Sequence, residues 1–168
     1  MSAGDYYPVI SDISFEVRRG QKIAITGFNG IGKSTLLKTL VGELSPLKGG
    51  FTLADTACIG YYEQESEWDG KNMTPLSALL DWFPHLTQKE ARQHLAGCGI
   101  DREKAERQLS TLSGGEQAKV KLCRLTLMPS NVLILDEPTN HLDELAKEAL
   151  KEALVKYEGT VILVSHEE

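Results

Sequence analysis

Several things are missing from this sequence, and each absence removes a class of function. No apolar run approaches the ~20 residues that a membrane-spanning helix needs, and the opening residues lack the apolar core of a signal peptide. Cysteine is scarce: Cys58, Cys98 and Cys123 are odd in number and share no metal-ligand spacing. That usage fits a reducing cytoplasm, the expected location. Histidine is equally sparse, and His85, His94 and His141 have no partners at metal spacing. Excess positive charge is absent too. A net charge of −6 argues against this domain alone gripping a nucleic-acid backbone. There is no low-complexity tract and no clear internal repeat. What remains is 168 residues, enough for one domain with a real core.

Within that frame, Gly27-Phe28-Asn29-Gly30-Ile31-Gly32-Lys33-Ser34-Thr35 fits the pattern Gly, four residues, Gly-Lys-Ser. A short β-branched run, Lys22–Thr26, precedes it and predicts a buried strand. Ser34–Val41 comes after it and predicts a helix. Strand, glycine-rich turn and helix together make a phosphate-binding loop, in which successive N–H groups and the helix N-terminus converge on an anion. Lys33 is then expected to reach the β- and γ-phosphates of a nucleotide, with the Ser34 hydroxyl on Mg²⁺. No Asn-Lys-x-Asp stretch occurs, which sets aside a guanine-reading small GTPase.

Val132-Leu133-Ile134-Leu135 is an apolar run ending in Asp136-Glu137-Pro138. Continuous apolar strands of this kind belong to parallel sheets buried on both faces, and ligands collect at their carboxyl ends. Asp136 is therefore expected beside the phosphate loop, holding Mg²⁺, and Glu137 is expected to polarise an attacking water. Further on, Ser113-Gly114-Gly115 precedes a run from Glu116 to Leu125 that predicts a helix, with Ala118, Leu122 and Leu125 on one face and Ser113 as N-cap. Glycines beside a helix N-terminus can form a second anion site. A merely capped helix explains the same residues.

Leu112 to Gln117 resembles the signature motif of ATP-binding cassette (ABC) ATPases, and the motif order from Tyr6/Tyr7 to His166 resembles that family throughout. The resemblance implies a head-to-tail dimer, with ATP held between the phosphate loop of one cassette and the signature helix of a second. It implies that Ser113, Gly114 and Gly115 contact the nucleotide of that partner. Gln64, in Gly60-Tyr61-Tyr62-Glu63-Gln64, is similar to the family's glutamine that senses Mg²⁺ and the attacking water. His166, after the strand Thr160–Ser165, is similar to its switch histidine. Asp143 matches the loop crossing the dimer seam, His141 bears on the geometry of that loop, and Tyr6 or Tyr7 would stack on adenine. Phe28 departs from the family, where proline is common; the loop's donors are backbone groups, so the change is expected to be tolerated.

Asn140-His141 within Glu137–Asp143 resembles the ABC-F class, tandem-cassette proteins that act on the ribosome. The implied partner is a second cassette, on the same polypeptide or in a homodimer. Ribosome contact would come through segments outside this chain, with no membrane insertion. Two other readings stay open: the nucleotide-binding subunit of a membrane transporter, and a clamp that binds ATP with little hydrolysis. The expected fold is α/β, a P-loop NTPase core with a mainly parallel sheet, a small antiparallel β subdomain and a helical insert over about residues 75–128. A helix over 143–157 is predicted, with Leu145, Ala149, Ala153 and Leu154 on its inner face. Residues 1–168 read as a single cassette clipped at both ends.

Lys33→Ala is expected to remove most affinity for ATP, because a charge-assisted contact is worth about 1.5–3 kcal/mol. A nucleotide titration of that variant checks it, and undiminished binding would be the contrary result.

Overall fold

The computed structural model describes residues 10–28, 30–63 and 72–166. These residues divide into two compact units. One comprises the chain to Tyr61 with Ser130–Glu137 and the segment from Glu158; the other comprises Tyr62–Pro129 with Pro138–Tyr157.

The first unit is built on a four-stranded sheet in the order β1-β4-β3-β2. Its strands are β1 (Lys22–Thr26), β2 (Ile59–Tyr62), β3 (Val132–Asp136) and β4 (Thr160–Ser165). The chain enters the second unit at the last residue of β2. β4 runs parallel to both of its neighbours, with Thr26 opposite Ser165 and Asp136 opposite Val164. Burial depends on position in the sheet. β4 lies inside, and every residue except Leu163 is buried. Among the described residues β1 pairs only with β4, and it exposes Lys22, Ala24 and Thr26 while half-burying Ile23 and Ile25. The expectation of a buried β1 is corrected to a half-buried one: Ile23 and Ile25 pack against the core and the alternate residues are open.

Helix α1 (Lys33–Leu40) lays Leu37 against this sheet. Leu37 forms a core with Ile134, Ile162 and Val164, and Ile23, Ile25, Ile59 and Tyr61 pack around it. Asn131 ties β2 to β3 ahead of both strands. Its Oδ1 accepts from the Cys58 N–H at 2.7 Å and its Nδ2 donates to the Thr56 carbonyl at 2.7 Å. The mainly parallel core is thus as expected. Of the stretches expected to form the antiparallel subdomain, residues 10–21 and 51–58 form no strand, and β2 joins the core sheet beside β3. Residues 10–21 and 50–58 are irregular, punctuated by Gly20 and Gly49 and by Asp12 at φ 58°. Ile13, Phe15, Phe51 and Leu53 remain exposed there, while Val17 packs against the Leu37 core.

The second unit is helical. It contains α2 (Pro75–Trp82), α3 (Gln88–Gly97), α4 (Arg102–Ala105), a 3₁₀ turn at Leu109–Thr111, α5 (Gly114–Leu127) and α6 (Glu144–Lys156). Capping marks their starts. Thr74, Thr87 and Ser113 each accept from the backbone N–H three residues on, in reciprocal capping boxes with Ser77, Glu90 and Glu116. One core gathers Leu79, Ala91, Leu95, Ile100, Leu109, Val120 and Cys123. A second joins Ala118 of α5 to Leu142, Ala146 and Leu150.

Helix α5 therefore buries two sides. Ala118 and Leu122 meet α6 as the expected face, while Val120 and Cys123 serve the other core. The inner face of α6 is displaced from the expected one. Ala146, Leu150 and Leu154 point inward, whereas Leu145 is 81% exposed and Ala153 is exposed. Both sets repeat every four residues or nearly so, and only the packing of Leu142 against Ala118 decides between them. Leu95→Ala should cost about 2–5 kcal/mol, because Leu95 is fully buried and its removal leaves a cavity. Leu145→Ala should change stability by no more than about 0.5 kcal/mol. Urea unfolding of the two variants side by side distinguishes them.

Candidate nucleotide site

The carboxyl end of β1 leads directly into the glycine-rich loop, and the loop leads into α1. Helices α2 to α6 each begin with a side-chain cap, from Thr74, Thr87, Asp101, Ser113 and Asp143. Helix α1 has none. Its N-cap is Gly32, at φ 94° in the left-handed region, where a side chain would be strained. The first-turn N–H groups of α1 are thus left for a ligand rather than for the protein's own oxygen.

Lys33, the first residue of α1, is only 6% exposed. Its ammonium donates to the Gly27 carbonyl and, at 3.0 Å, to the Phe28 carbonyl. Both acceptors are neutral backbone carbonyls. The Phe28 side chain is 87% exposed. Its contribution to the loop is the backbone carbonyl, which explains why phenylalanine can stand here. Ser34 comes next, exposed on the first turn. An uncapped helix start, a buried cation and a hydroxyl fit the phosphates of a nucleotide.

Asp136 ends β3 and is 2% exposed. Among the described residues no three His, Cys, Asp or Glu gather into a metal cluster. Mg²⁺ does not need one, since it is commonly held by one or two protein oxygens together with substrate phosphates and waters. Ser34 and Asp136 supply oxygens of that type. Glu137 comes next with φ 46°, an unusual conformation for a residue with a side chain. Its N–H donates to the Val164 carbonyl at 2.9 Å, which fixes it to the end of β4. Its Oε2 lies 3.1 Å from Nδ1 of His166, the residue just past β4. Two candidates separated by 29 positions are hydrogen-bonded directly.

In the second unit, the Ser113 hydroxyl accepts from the Glu116 N–H at 3.2 Å while Glu116 accepts from the Ser113 N–H at 2.9 Å. The hydroxyl proton of Ser113 remains available to donate. A Cβ on Gly115 would lie 2.5 Å from the His141 carbonyl oxygen, whereas one on Gly114 would meet His141 only at an ordinary 3.5 Å. His141 itself has φ 65°. Gly115 thus admits the 140–143 loop, independently of any ligand. Asp143 caps α6, accepting from Ala146 N–H at 2.8 Å, and pairs with Lys119 at 3.2 Å. The Ala146 bond, then Lys119, holds its carboxyl below the usual range. The Ser113 N–H does the same for Glu116, helped by Lys104. Their stabilisation is present above the ordinary carboxylate range and is lost as pH falls through the lowered values.

Neither Lys119 nor Lys104 stands out in the sequence. Their partners lie 24 and 12 positions away, outside any local pattern. Gln117 closes the signature-like stretch, and its own duty is structural: its Nε2 donates to the Leu112 carbonyl at 3.0 Å, bracing the start of α5. Tyr6, Tyr7, Asn29 and Gln64 lie outside the described residues.

Residues 10–140 match the ABC transporter family. The chain belongs to this family and is an ATP-binding cassette. Mg–ATP binding and hydrolysis are the chemistry of that architecture. Over 160 residues, 95% of the chain, it is 48% identical to the "Uncharacterized ABC transporter ATP-binding protein YfmM" of Bacillus subtilis, covering 31% of that protein. It is 40% identical to ABC transporter F family member 5 of Arabidopsis thaliana, over 92% of the chain and 22% of that protein. Among solved structures it resembles the archaeal ribosome recycling factor aABCE1, seen in complex with ribosomal stalk protein aP1. That match has a TM-score of 0.70 and 28% identity, over 90% of this cassette and 30% of that chain. The cassette thus spans a third or less of the length of these relatives. No helix among the described residues is long and apolar enough to cross a membrane.

The contrast between Gly114 and Gly115 is testable without nucleotide. Gly115→Ala should destabilise the ligand-free cassette by about 1–3 kcal/mol, the usual cost of overpacking, because the atom it meets is backbone. Gly114→Ala should be near neutral. Equal denaturant midpoints for the two variants would contradict the close approach of His141.

Proposed function

We propose that this cassette binds Mg–ATP on the loop Gly27–Thr35 and hydrolyses it in a head-to-tail pair with a second cassette, as part of an ABC-F-type protein working at the ribosome. The observation that carries the catalytic part is the Glu137–His166 hydrogen bond, at the same sheet end as the loop.

In this reading Lys33 exchanges its loop carbonyls for the β- and γ-phosphates. The N–H groups of α1 and the flanking glycines, with Phe28, Asn29 and Ile31 contributing backbone, surround the remaining phosphate oxygens. Ser34, Asp136 and Gln64 hold Mg²⁺, which offsets phosphate charge when bound. Tyr6 or Tyr7 stacks on the adenine. Glu137 takes a proton from the attacking water through its carboxylate. The His166 bond keeps that carboxylate in one orientation, and Gln64 orients the water. Ser113, with the N–H groups at Gly114 and Gly115, donates to the γ-phosphate bound by the other cassette. The two ends of the site therefore lie on different cassettes, and turnover depends on their meeting.

The ABC-F assignment is supported by the F-family relative and by the Asn140-His141 loop. A transporter's nucleotide-binding subunit is the second reading, favoured by the family's own description. Glu137→Gln tests both levels. The amide keeps the shape but cannot take the proton, and loss of a general base typically costs 10²–10⁴-fold in rate, roughly 3–5 kcal/mol. ATP binding should persist and the ATP-dependent dimer should be equal or greater, since a ligand bridging two subunits favours their association. Measured turnover, dimer mass and, for the full parent polypeptide, co-sedimentation with ribosomes give the answer. Normal turnover places the base elsewhere. Reduced turnover without ribosome retention favours the transporter reading.

A further inference from the structure

The short helix α4 is held from behind. Ala105 is buried in the main core of the helical unit. Glu106, just after α4, pairs with Arg92 of α3 at 2.8 Å. Asp101 caps the start of α4, accepting from the Lys104 N–H at 2.9 Å. The backbone that carries Lys104 is therefore fixed to the core and to α3. From there the side chain reaches the first turn of α5, where Nζ lies 3.3 Å from Oε1 of Glu116. The Asp101 carboxylate lies 3.5 Å from the same nitrogen. Glu116, then Asp101, raises the Lys104 ammonium above the usual lysine range.

Glu116 uses its carboxylate oxygens on different partners. Oε1 faces Lys104, and Oε2 accepts from the Ser113 N–H at 2.9 Å. The Glu116 N–H in turn donates to the Ser113 hydroxyl at 3.2 Å. A carboxylate held by one oxygen turns easily, because the terminal torsion of glutamate is broad. Held by both, it keeps one plane, and the Ser113 N–H it accepts from stays in place. The capping box is a local pattern, but the lysine that steadies it comes from another helix.

We propose that Lys104 is a positioning residue for ATP turnover: through Glu116 it holds the Ser113 hydroxyl in the orientation from which it donates to the γ-phosphate bound by the opposite cassette. This rests on the head-to-tail reading given above. Lys104 acts through Glu116 and plays no part in binding ATP on its own cassette. A change at Lys104 therefore spoils the site that its own α5 completes on the other cassette, and leaves its own phosphate loop sound.

Steady-state ATPase measurements on variants of the whole chain, alone and mixed, test this. Lys104→Met keeps the length of the side chain and removes the charge. It should melt close to the parent, since exposed ion pairs contribute little to stability. Losing one preorganised donor outright costs about 10²–10³-fold in turnover, so loosening one should lower kcat by about three- to tenfold, with KM for ATP within about twofold of the parent. Lys104→Arg keeps a cation there and should recover most of the loss. Lys33→Ala lacks a working phosphate loop but has a sound α5. Its equimolar mixture with Lys104→Met should exceed the mean turnover of the two variants measured alone, because each mixed pair contains one intact site. Ser113→Ala mixed with Lys33→Ala is the control for the head-to-tail site. Restoration in the control but not in the Lys104→Met mixture would overturn the proposal and leave the head-to-tail reading standing. Failure of both mixtures would overturn both. Unchanged kcat in Lys104→Met, a loss confined to KM, or no recovery in Lys104→Arg would also overturn the proposal.

Discussion

The parallel pairing of β4 between β1 and β3 is the constraint on which the candidate chemistry depends. Parallel strands put all their carboxyl ends on one edge, and the register sets Thr26, Ser165 and Asp136 within a residue of one another along it. The segment leaving each strand is then delivered to one place. β1 delivers the phosphate loop, β3 delivers Asp136 and Glu137, and β4 delivers His166. None of these segments is near another in sequence. A one-residue slip of β4 would turn its side chains to the opposite face and part His166 from Glu137. The buried, β-branched character of β4 resists that slip, because its side chains are packed on both faces.

A second device operates in the helical unit. α5 supplies the core on one side through Val120 and Cys123 and packs α6 on the other through Ala118. Its first turn is closed by the Ser113–Glu116 box and by Gln117 reaching back to Leu112. The glycine at position 115 is then needed for the His141 carbonyl before any nucleotide is considered. A motif residue can thus have a packing duty and a binding duty at once, and its substitution will report both.

The legible part of the sequence is local. The strands β1, β3 and β4, the helix after the glycine-rich loop and the cap Ser113 are contiguous patterns, and the structure has them within a residue or two. The inner face of α6 is displaced because Leu145 and Ala146 start near-equivalent apolar repeats, and only contact with α5 separates them. β-rich composition suggests an antiparallel layer, but composition does not supply a face to bury. The bonds Glu137–His166 and Lys119–Asp143 link residues 29 and 24 positions apart. Chemistry in the sequence nominates Glu137 and His166 separately, and only the topology makes them partners. The other pair has no such nomination for its lysine.

The strand order also carries a kinetic consequence. Among the described strands β1 pairs with β4 alone, and the bond from Gly20 to Thr160 closes a span of 140 positions. The caps of the helices in the second unit, by contrast, close over three residues. Long spans are slow to close, because chain entropy is lost before any contact repays it. During synthesis the phosphate loop therefore leaves the ribosome with its supporting sheet unmade. It acquires a shape able to grip an anion only once β4 has emerged and inserted beside β1.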